Sequence, residues 1–281
     1  MKKILIVLSV ILSAQAAFAQ AVPTLLIPAD SRALSMGGVA LPSDAGKLDV
    51  KAFYGMWAPK SAGITLFGGD AILRFGKVGL SLEGRSFLDK PYDITSAQGQ
   101  VTGSFRPVDW LAGVGVTVGI YDAFAVGVKA RAVSSAIAEN ARGMAFCGDV
   151  FFSYTGDIVS ASIGARNIGS KINYGGASSY SLPALAALQG CVKPLDGLTI
   201  GAEVDYLFSG ALMAGLGLEY TFAEIVSLRG GFHYGDDAKA IPMYASLGLG
   251  VQFAGFHLDV AFLTASKTLG NTLMLGLGYS F

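Results

Sequence analysis

The chain is written in short stretches where apolar residues alternate with small or polar ones, separated by turn residues. Between Asn271 and Phe281, Leu273, Leu275, Leu277, Tyr279 and Phe281 share one face, and Met274, Gly276, Gly278 and Ser280 share the other. Successive side chains of a strand point to opposite faces, so this stretch has a fully apolar face and a face of mostly small residues. A strand with lipid on one side and a barrel interior on the other has this form. The same alternation sets Val78, Leu80 and Leu82 against Ser81, Glu83 and Arg85. Strands are predicted near 47–57, 63–75 and 77–87, then near 109–119, 122–134, 143–155, 157–168, 183–194, 197–208, 212–222, 225–234, 243–254, 255–264 and 270–281. The total is about fourteen, each near the length a tilted membrane-spanning strand requires.

The connections give an independent check. Those at Gly76, Ile120-Tyr121, Gly156, Leu195-Asp196, Ala223-Glu224 and Ala254-Gly255 are tight, whereas 88–108, 135–142, 169–182, 235–242 and 265–269 are longer, with 209–211 a short exception. Short turns on the periplasmic side and longer loops outside are the habit of outer-membrane barrels. The pattern predicts an all-β fold, a transmembrane antiparallel β-barrel with both ends on the periplasmic side.

The start of the chain supports that placement. Met1-Lys2-Lys3, an apolar run from Ile4 to Leu12 and Ala17-Phe18-Ala19 before Gln20 form a secretory signal peptide, residues 1–19, cleaved after Ala19. No Cys follows the cleavage site, so a lipoprotein is not expected. Residues 20–46 lack strand alternation and carry Pro23, Pro28, Pro42 and a Met36-Gly37-Gly38 turn. They are expected to lie in or against the barrel lumen, leaving 47–281 as the barrel itself.

Composition narrows the class further. Hydrophobic residues make up 52% of the chain and charged ones 14%, whereas a soluble domain carries about 25% charge. With 38 glycines, no stretch sustains a helical period, and beyond the signal no window of roughly twenty residues is continuously apolar. The formal net charge is +0, which gives no electrostatic case for nucleic acid. Cys147 and Cys191 lie in different predicted strands without metal-ligand spacing and read as wall packing. Neither a metal nor another cofactor is expected.

Candidate chemistry is confined to the inward faces. Alternation places Glu83, Glu203, Asp205, Glu219 and Asp259 inward together with Arg85, Lys129, Arg131, Arg166 and Arg229. Five acids against five bases favour a salt-bridged, largely filled lumen over an ion-selective pore, since a lone desolvated ion costs several kcal/mol. His233, three residues before Asp236-Asp237, and His257, two before Asp259, are the candidates for acid–base work. No nucleophile, zinc or phosphate motif accompanies them, and an enzyme is not expected.

Several strings also resemble a known family. Ser31-Arg32-Ala33-Leu34-Ser35-Met36-Gly37-Gly38 resembles the opening of the PorV/PorQ family, FadL-like barrels of the Bacteroidetes outer membrane. Arg166-Asn167-Ile168-Gly169, Leu182-Pro183, Asp196-Gly197-Leu198, Glu203-Val204-Asp205-Tyr206, Gly217-Leu218-Glu219-Tyr220, Leu228-Arg229-Gly230-Gly231 and Leu258-Asp259-Val260-Ala261 follow in order. Where that family has W-N-P-A, this chain has Trp57-Ala58-Pro59-Lys60. The resemblance implies a FadL-like barrel serving type IX secretion as a non-enzymatic accessory, shuttle or anchor. Its implied partners are outer-membrane lipid and another outer-membrane barrel or a surface or secreted protein. The alternative it implies is a FadL-like passive channel for hydrophobic small molecules. Gly113, Gly115, Gly127, Gly215 and Gly217 on the inward faces leave room either for such a molecule or for the N-terminal segment.

Alternation makes a direct prediction. A charge at Leu216, Leu218 or Leu275 should block membrane assembly, at about 2–4 kcal/mol near the midplane, and one at Gly217 should be milder. Heat-modifiable mobility of the extracted barrel measures it, and equal tolerance at both kinds of site would remove the basis of the wall assignment.

Overall fold

Fourteen strands hydrogen-bond in one closed antiparallel ring in the computed structural model, which describes residues 20–41, 46–236 and 239–281. The expected signal peptide at 1–19, Pro42 and Asp237 lie outside the described residues. β1 (Leu48–Trp57), β2 (Ile64–Phe75) and β3 (Val78–Leu88) come first, and a hairpin of β4 (Tyr92–Thr95) and β5 (Val101–Phe105) stands apart from the ring. The ring continues through β6 (Val108–Gly119), β7 (Phe124–Ala138), β8 (Ala141–Thr155) and β9 (Val159–Gly169). A short pair, β10 (Ile172–Asn173) and β11 (Ser179–Tyr180), follows in the next loop. β12 (Leu185–Leu195), β13 (Leu198–Leu207), β14 (Ala211–Phe222), β15 (Val226–Gly235), β16 (Tyr244–Phe253), β17 (Phe256–Thr264) and β18 (Leu273–Ser280) complete it. β18 pairs back to β1, with Leu277 opposite Ala52, so no strand edge is left unpaired in lipid.

The faces divide as a bilayer demands. On β14, Leu212, Leu216 and Leu218 are exposed while Met213 and Glu219 are buried, and on β18 Leu273, Leu275 and Leu277 are exposed over a buried Met274. Aromatic side chains ring the outer surface at the short-turn end. There Phe124 packs on Phe152 and Tyr154, Tyr220 on Phe222, and Phe256 on Tyr279. Tyr54, Trp110, Phe232, Tyr234 and Phe262 are exposed nearer the long-loop end. An apolar band between two aromatic girdles marks an integral barrel of the outer-membrane type. Among the described residues no helix is long and apolar enough to cross a membrane.

One expected loop is absent. Residues 135–142 were predicted as a long connection, but β7 and β8 run on through them, Ala136 opposite Arg142 and, past a register shift, Ala138 opposite Ala141, leaving only Glu139 and Asn140 as the turn. The shift exposes Ile137, off the even-numbered parity of Phe124 and Val128, so the period of two cannot be carried through.

The interior is filled in two layers. Towards the long loops, buried Phe53, Trp57, Leu66, Phe87, Leu111, Val133, Leu207, Tyr244 and Leu263 belong to one apolar cluster with Ala21, Val22, Ile27 and Leu34 of the N-terminal segment. The charged residues lie below it. The N-terminal segment runs through the lumen rather than beneath it. Gln20 bridges to Ser181, and Thr24 in a single 3₁₀ turn (Pro23–Leu26) donates to Asp109 Oδ2 at 2.9 Å, both near the long-loop end. A short helix α1 (Ser31–Ser35), capped by Asp30 Oδ1 accepting from Ala33 N at 2.7 Å, packs on β15 to β18.

Beyond α1 the backbone rests directly on the wall, and that is what the inward glycines of β14 and β15 are for. A Cβ at Gly215 would come within 2.6 Å of Gly37 O, and one at Gly217 or Gly231 would collide with the backbone of Met36 and Gly37. Gly37 itself has φ 72, open to glycine at little cost. Ser246 fastens the contact, its Oγ accepting from Gly37 N at 3.1 Å and donating to Ser35 O at 2.9 Å. The milder outcome expected at Gly217 is therefore revised: substitution there strikes the segment inside the barrel.

Gly231→Leu should leave the lipid face intact and dislodge residues 35–38. In planar bilayers the unaltered barrel is expected to give no steady conductance and Gly231→Leu a sustained one. Silence from a variant that keeps its heat-modifiable mobility would show that the segment is not what closes the lumen.

Candidate functional site: the plugged lumen

Arg32, which the N-terminal segment contributes to the charged layer beside Asp30, whose Oδ2 lies 3.9 Å from Lys51 Nζ on β1, makes a two-pronged contact with the wall. Its Nε donates to Glu219 Oε2 at 2.9 Å and its Nη2 to Oε1 at 2.6 Å. Glu219 Oε2 also accepts from Arg229 Nε at 2.5 Å, and Arg229 Nη1 donates to Asp259 Oδ1 at 2.5 Å. Register explains the assembly. Glu219 on β14 faces Arg229 on β15 directly, and Arg229, opposite Gly248, reaches diagonally to Asp259 over Gly250 on β16, where a Cβ would lie 2.7 Å from both side chains. The paired fork of a guanidinium on a carboxylate fixes direction as well as charge.

The opposite wall holds a second network. Glu83 on β3 accepts from Arg131 Nε, lies 3.3 Å from Arg85 Nη2 and lies 3.8 Å from Lys129 Nζ. Gly113 on β6 stands between Glu83 and Arg131 in register and leaves space for both. Arg131 then forks onto Asp149, Nη1 to Oδ1 at 2.8 Å and Nη2 to Oδ2 at 2.5 Å, and reaches Asn167 Oδ1 at 3.0 Å. Asn167, at φ 58, occupies a bulge where β9 slips against β8, so it and Arg166 both turn inward. Its amide donates to Pro183 O at 3.1 Å, across the place where β9 and β12 part.

Between the networks, Arg166 Nη1 donates to Glu203 Oε1 at 2.7 Å and Nη2 to Gln189 Oε1 at 3.1 Å. Both partners also hold the N-terminal segment: Ala40 N donates to Glu203 Oε2 at 3.0 Å, and Gln189 Nε2 donates to Ala40 O at 2.7 Å. Nine of the ten charged residues read from the sequence thus fall into hydrogen-bonded or ion-paired groups. Asp205 does not, since its Oδ1 is buried without a hydrogen bond. Asp149 and Gln189 were missed although parity carries both, because Phe146, Val150 and Phe152 on β8 and Leu188 and Val192 on β12 face out and turn 149 and 189 in. Arg32 and Asn167 carried no such signal.

The histidines take other partners than their sequence neighbours. His257 Nε2 is 3.3 Å from Ser280 Oγ and 3.7 Å from Asp49 Oδ1, while Asp259 is held by Arg229. His233 stacks on Tyr244, ring centres 4.8 Å apart, and its Nδ1 donates to Gly37 O at 3.2 Å. Cys147 and Cys191 are buried thiols. Two cavities flank the segment. One of about 930 Å³ lies towards the short turns, lined by Arg32, Glu219, Arg229, His257 and Asp259. The other, of about 800 Å³, reaches along β2 to β9 and past β13, lined by Leu25, Leu26 and Ile27 as well as by the charged residues of the second network.

Comparison with solved structures agrees with this architecture. The toluene transporter TbuX of Ralstonia pickettii superposes with a TM-score of 0.68 at 11% identity, covering 91% of this chain and 99% of that one. The toluene transporter TodX of P. putida gives 0.64 at 10%, with 91% and 99% covered, and the monoaromatic hydrocarbon channel CymD gives 0.64 at 11%, with 91% and 98% covered. At such identities the likeness is one of fold, a closed fourteen-strand FadL-like barrel. No protein-family model and no curated protein matches the sequence. The PorV/PorQ resemblance and the type IX secretion role are corrected by these findings, because the barrels that this chain matches are described as hydrocarbon channels and toluene transporters. Physically, the matching strings carry Arg32, Gly37, Glu219, Arg229, Gly231 and Asp259, which seat the segment in the lumen. They describe how such a barrel is filled and say nothing about a secretion partner.

Glu83 sits among three cations with its side chain 5% exposed, so its neutralisation has a defined cost. Glu83→Gln should destabilise the barrel by about 3–5 kcal/mol, read as urea unfolding in detergent micelles. Glu224→Gln, on an exposed turn, should stay within about 0.5 kcal/mol.

Proposed function

We propose that this chain is a passive outer-membrane channel for hydrophobic small molecules, closed at rest by its own N-terminal segment. The observation that carries the reading is that residues 20–41 fill the lumen without being one of its strands. The segment is seated by side-chain contacts such as Arg32 on Glu219, by backbone contact at Gly215 and Gly231, and by apolar packing. Leu25, Leu26 and Ile27 line the 800 Å³ cavity, so displacement of this stretch would connect an apolar mouth to it. The likeness in fold to barrels described as toluene transporters and a monoaromatic hydrocarbon channel supports the same reading.

In this reading residues 1–19 direct export and are removed, 20–46 form the plug and 47–281 the wall. The charged residues hold the wall and seat the plug, and they perform no bond-breaking chemistry. The ligand moves down its own gradient, and outer-membrane lipid is the barrel's standing partner.

The test is uptake of toluene by cells whose outer membrane bears this barrel as the hydrocarbon channel under study. Expression should raise the uptake rate several-fold over cells carrying the Leu216→Asp variant, which should not assemble. Equal rates, with the unaltered barrel confirmed in the membrane, would overturn the channel reading.

A further inference from the structure

Among the described residues the Asp205 carboxylate of the charged layer has a buried oxygen left without a hydrogen bond. Glu203 and Asp205 lie two residues apart on the inward face of β13, and Arg166 is the cation beside them. Its guanidinium is already engaged, Nη1 by Glu203 and Nη2 by Gln189, and Glu203 is further occupied by Ala40 N. Asp205 Oδ1 makes no hydrogen bond, and neither do His233 Nε2 and the Tyr244 hydroxyl. His233 is 6% exposed and Tyr244 0%. By register Glu203, Gly215, His233 and Tyr244 form one row across β13 to β16, and Asp205, Met213 and Gly235 form the row next to it, so Asp205 stands two strands from His233, and His233 lies beside Tyr244. Asp205 and His233 also line the 800 Å³ cavity, together with Leu185, Met213 and Ile241.

We infer that this corner of the cavity takes a hydrophobic amine, with its N–H donors set on Asp205 and its apolar body against Leu185, Met213 and Ile241. Two carboxylates share one guanidinium, so an acidic headgroup would bring a third anion to the same place. An ammonium supplies both the charge and the donors that Asp205 lacks, and a hydrogen bond to a charged group is among the stronger ones available. A plain hydrocarbon fits the apolar lining and leaves Asp205 unsatisfied. Selectivity of this kind comes from buried polar groups left unpaired by the wrong ligand. The inference deepens the proposed channel function, on which it rests for how the molecule arrives.

Benzylamine, toluene and benzoate, matched in size and differing in headgroup, are the probes, and binding to the whole detergent-solubilised barrel is measured by calorimetry. Benzylamine should bind at least about tenfold more tightly than benzoate, the difference that one charge-assisted hydrogen bond supplies. Asp205→Asn, an isosteric change, should bring that ratio down by about tenfold in a barrel that keeps its heat-modifiable mobility. Benzoate binding as well as benzylamine in the unaltered barrel, or a ratio unmoved by Asp205→Asn, overturns the inference. The binding measurement is independent of flux. Amine selectivity in a barrel that does not speed toluene uptake keeps the site and discards the channel, and toluene uptake without amine selectivity does the reverse.

Discussion

The fork of Arg32 on Glu219 ties together two parts of the chain that the bilayer treats differently. Glu219 belongs to a strand whose other face is in lipid, so the carboxylate has to be matched inside the barrel. Arg229 and Asp259 extend the pairing along the wall, but the pair is completed by a residue from the segment that fills the lumen. A buried pair gains little over an apolar filling of the same volume, yet removing one partner leaves a costly lone charge. The segment is therefore fastened at a defined place, and Gly215 and Gly231 allow its backbone to lie flat against the wall just beyond that point. Wall and plug are specified together.

What could be read from the sequence follows from the same physics. The lipid face admits only apolar side chains, so strands such as β14 and β18 declared themselves through strict alternation, and parity of loop lengths fixed their direction. The far ends of β7 and β8 could not be read, because a register shift between Ala136 and Ala138 breaks the period of two among mostly small residues. Inward charges on regular strands were legible by parity, and the same parity carried Asp149, which was passed over. Asn167 was not, because a bulge turns two consecutive residues to the same side. Arg32 lies on a segment with no strand periodicity, and nothing in its local sequence indicates that it would reach Glu219 on the wall.

The family resemblance was misleading for a related reason. Strings such as Gly217-Leu218-Glu219 and Leu228-Arg229-Gly230-Gly231 combine an outward Leu, an inward ion and glycines that clear space for a plug. Any barrel that closes itself in this way is pressed toward similar local sequences. Such motifs report the packing between segment and wall, and the role of a barrel is decided by its cavities and loops.

The layering of the interior constrains how an apolar molecule could pass. The long-loop end is closed by an apolar cluster that includes Ala21, Val22 and Ile27 of the segment, whereas the level below is crossed by two salt-bridged networks on opposite walls. A molecule entering from outside meets a surface like itself first, and loosening Leu25 to Ile27 exposes more of the same kind. The charged layer offers it no apolar passage while its groups are paired, but those groups are held to one another and not to the space between them. An apolar ligand could therefore descend beside them without breaking an ion pair within the wall, provided the segment yields from Leu25 to Ile27 and keeps its fork on Glu219 at Arg32. In the proposed channel a ligand's polarity would be felt where pairing is incomplete, at Asp205, so affinity for a bare hydrocarbon and discrimination by headgroup would reside in different residues of one cavity.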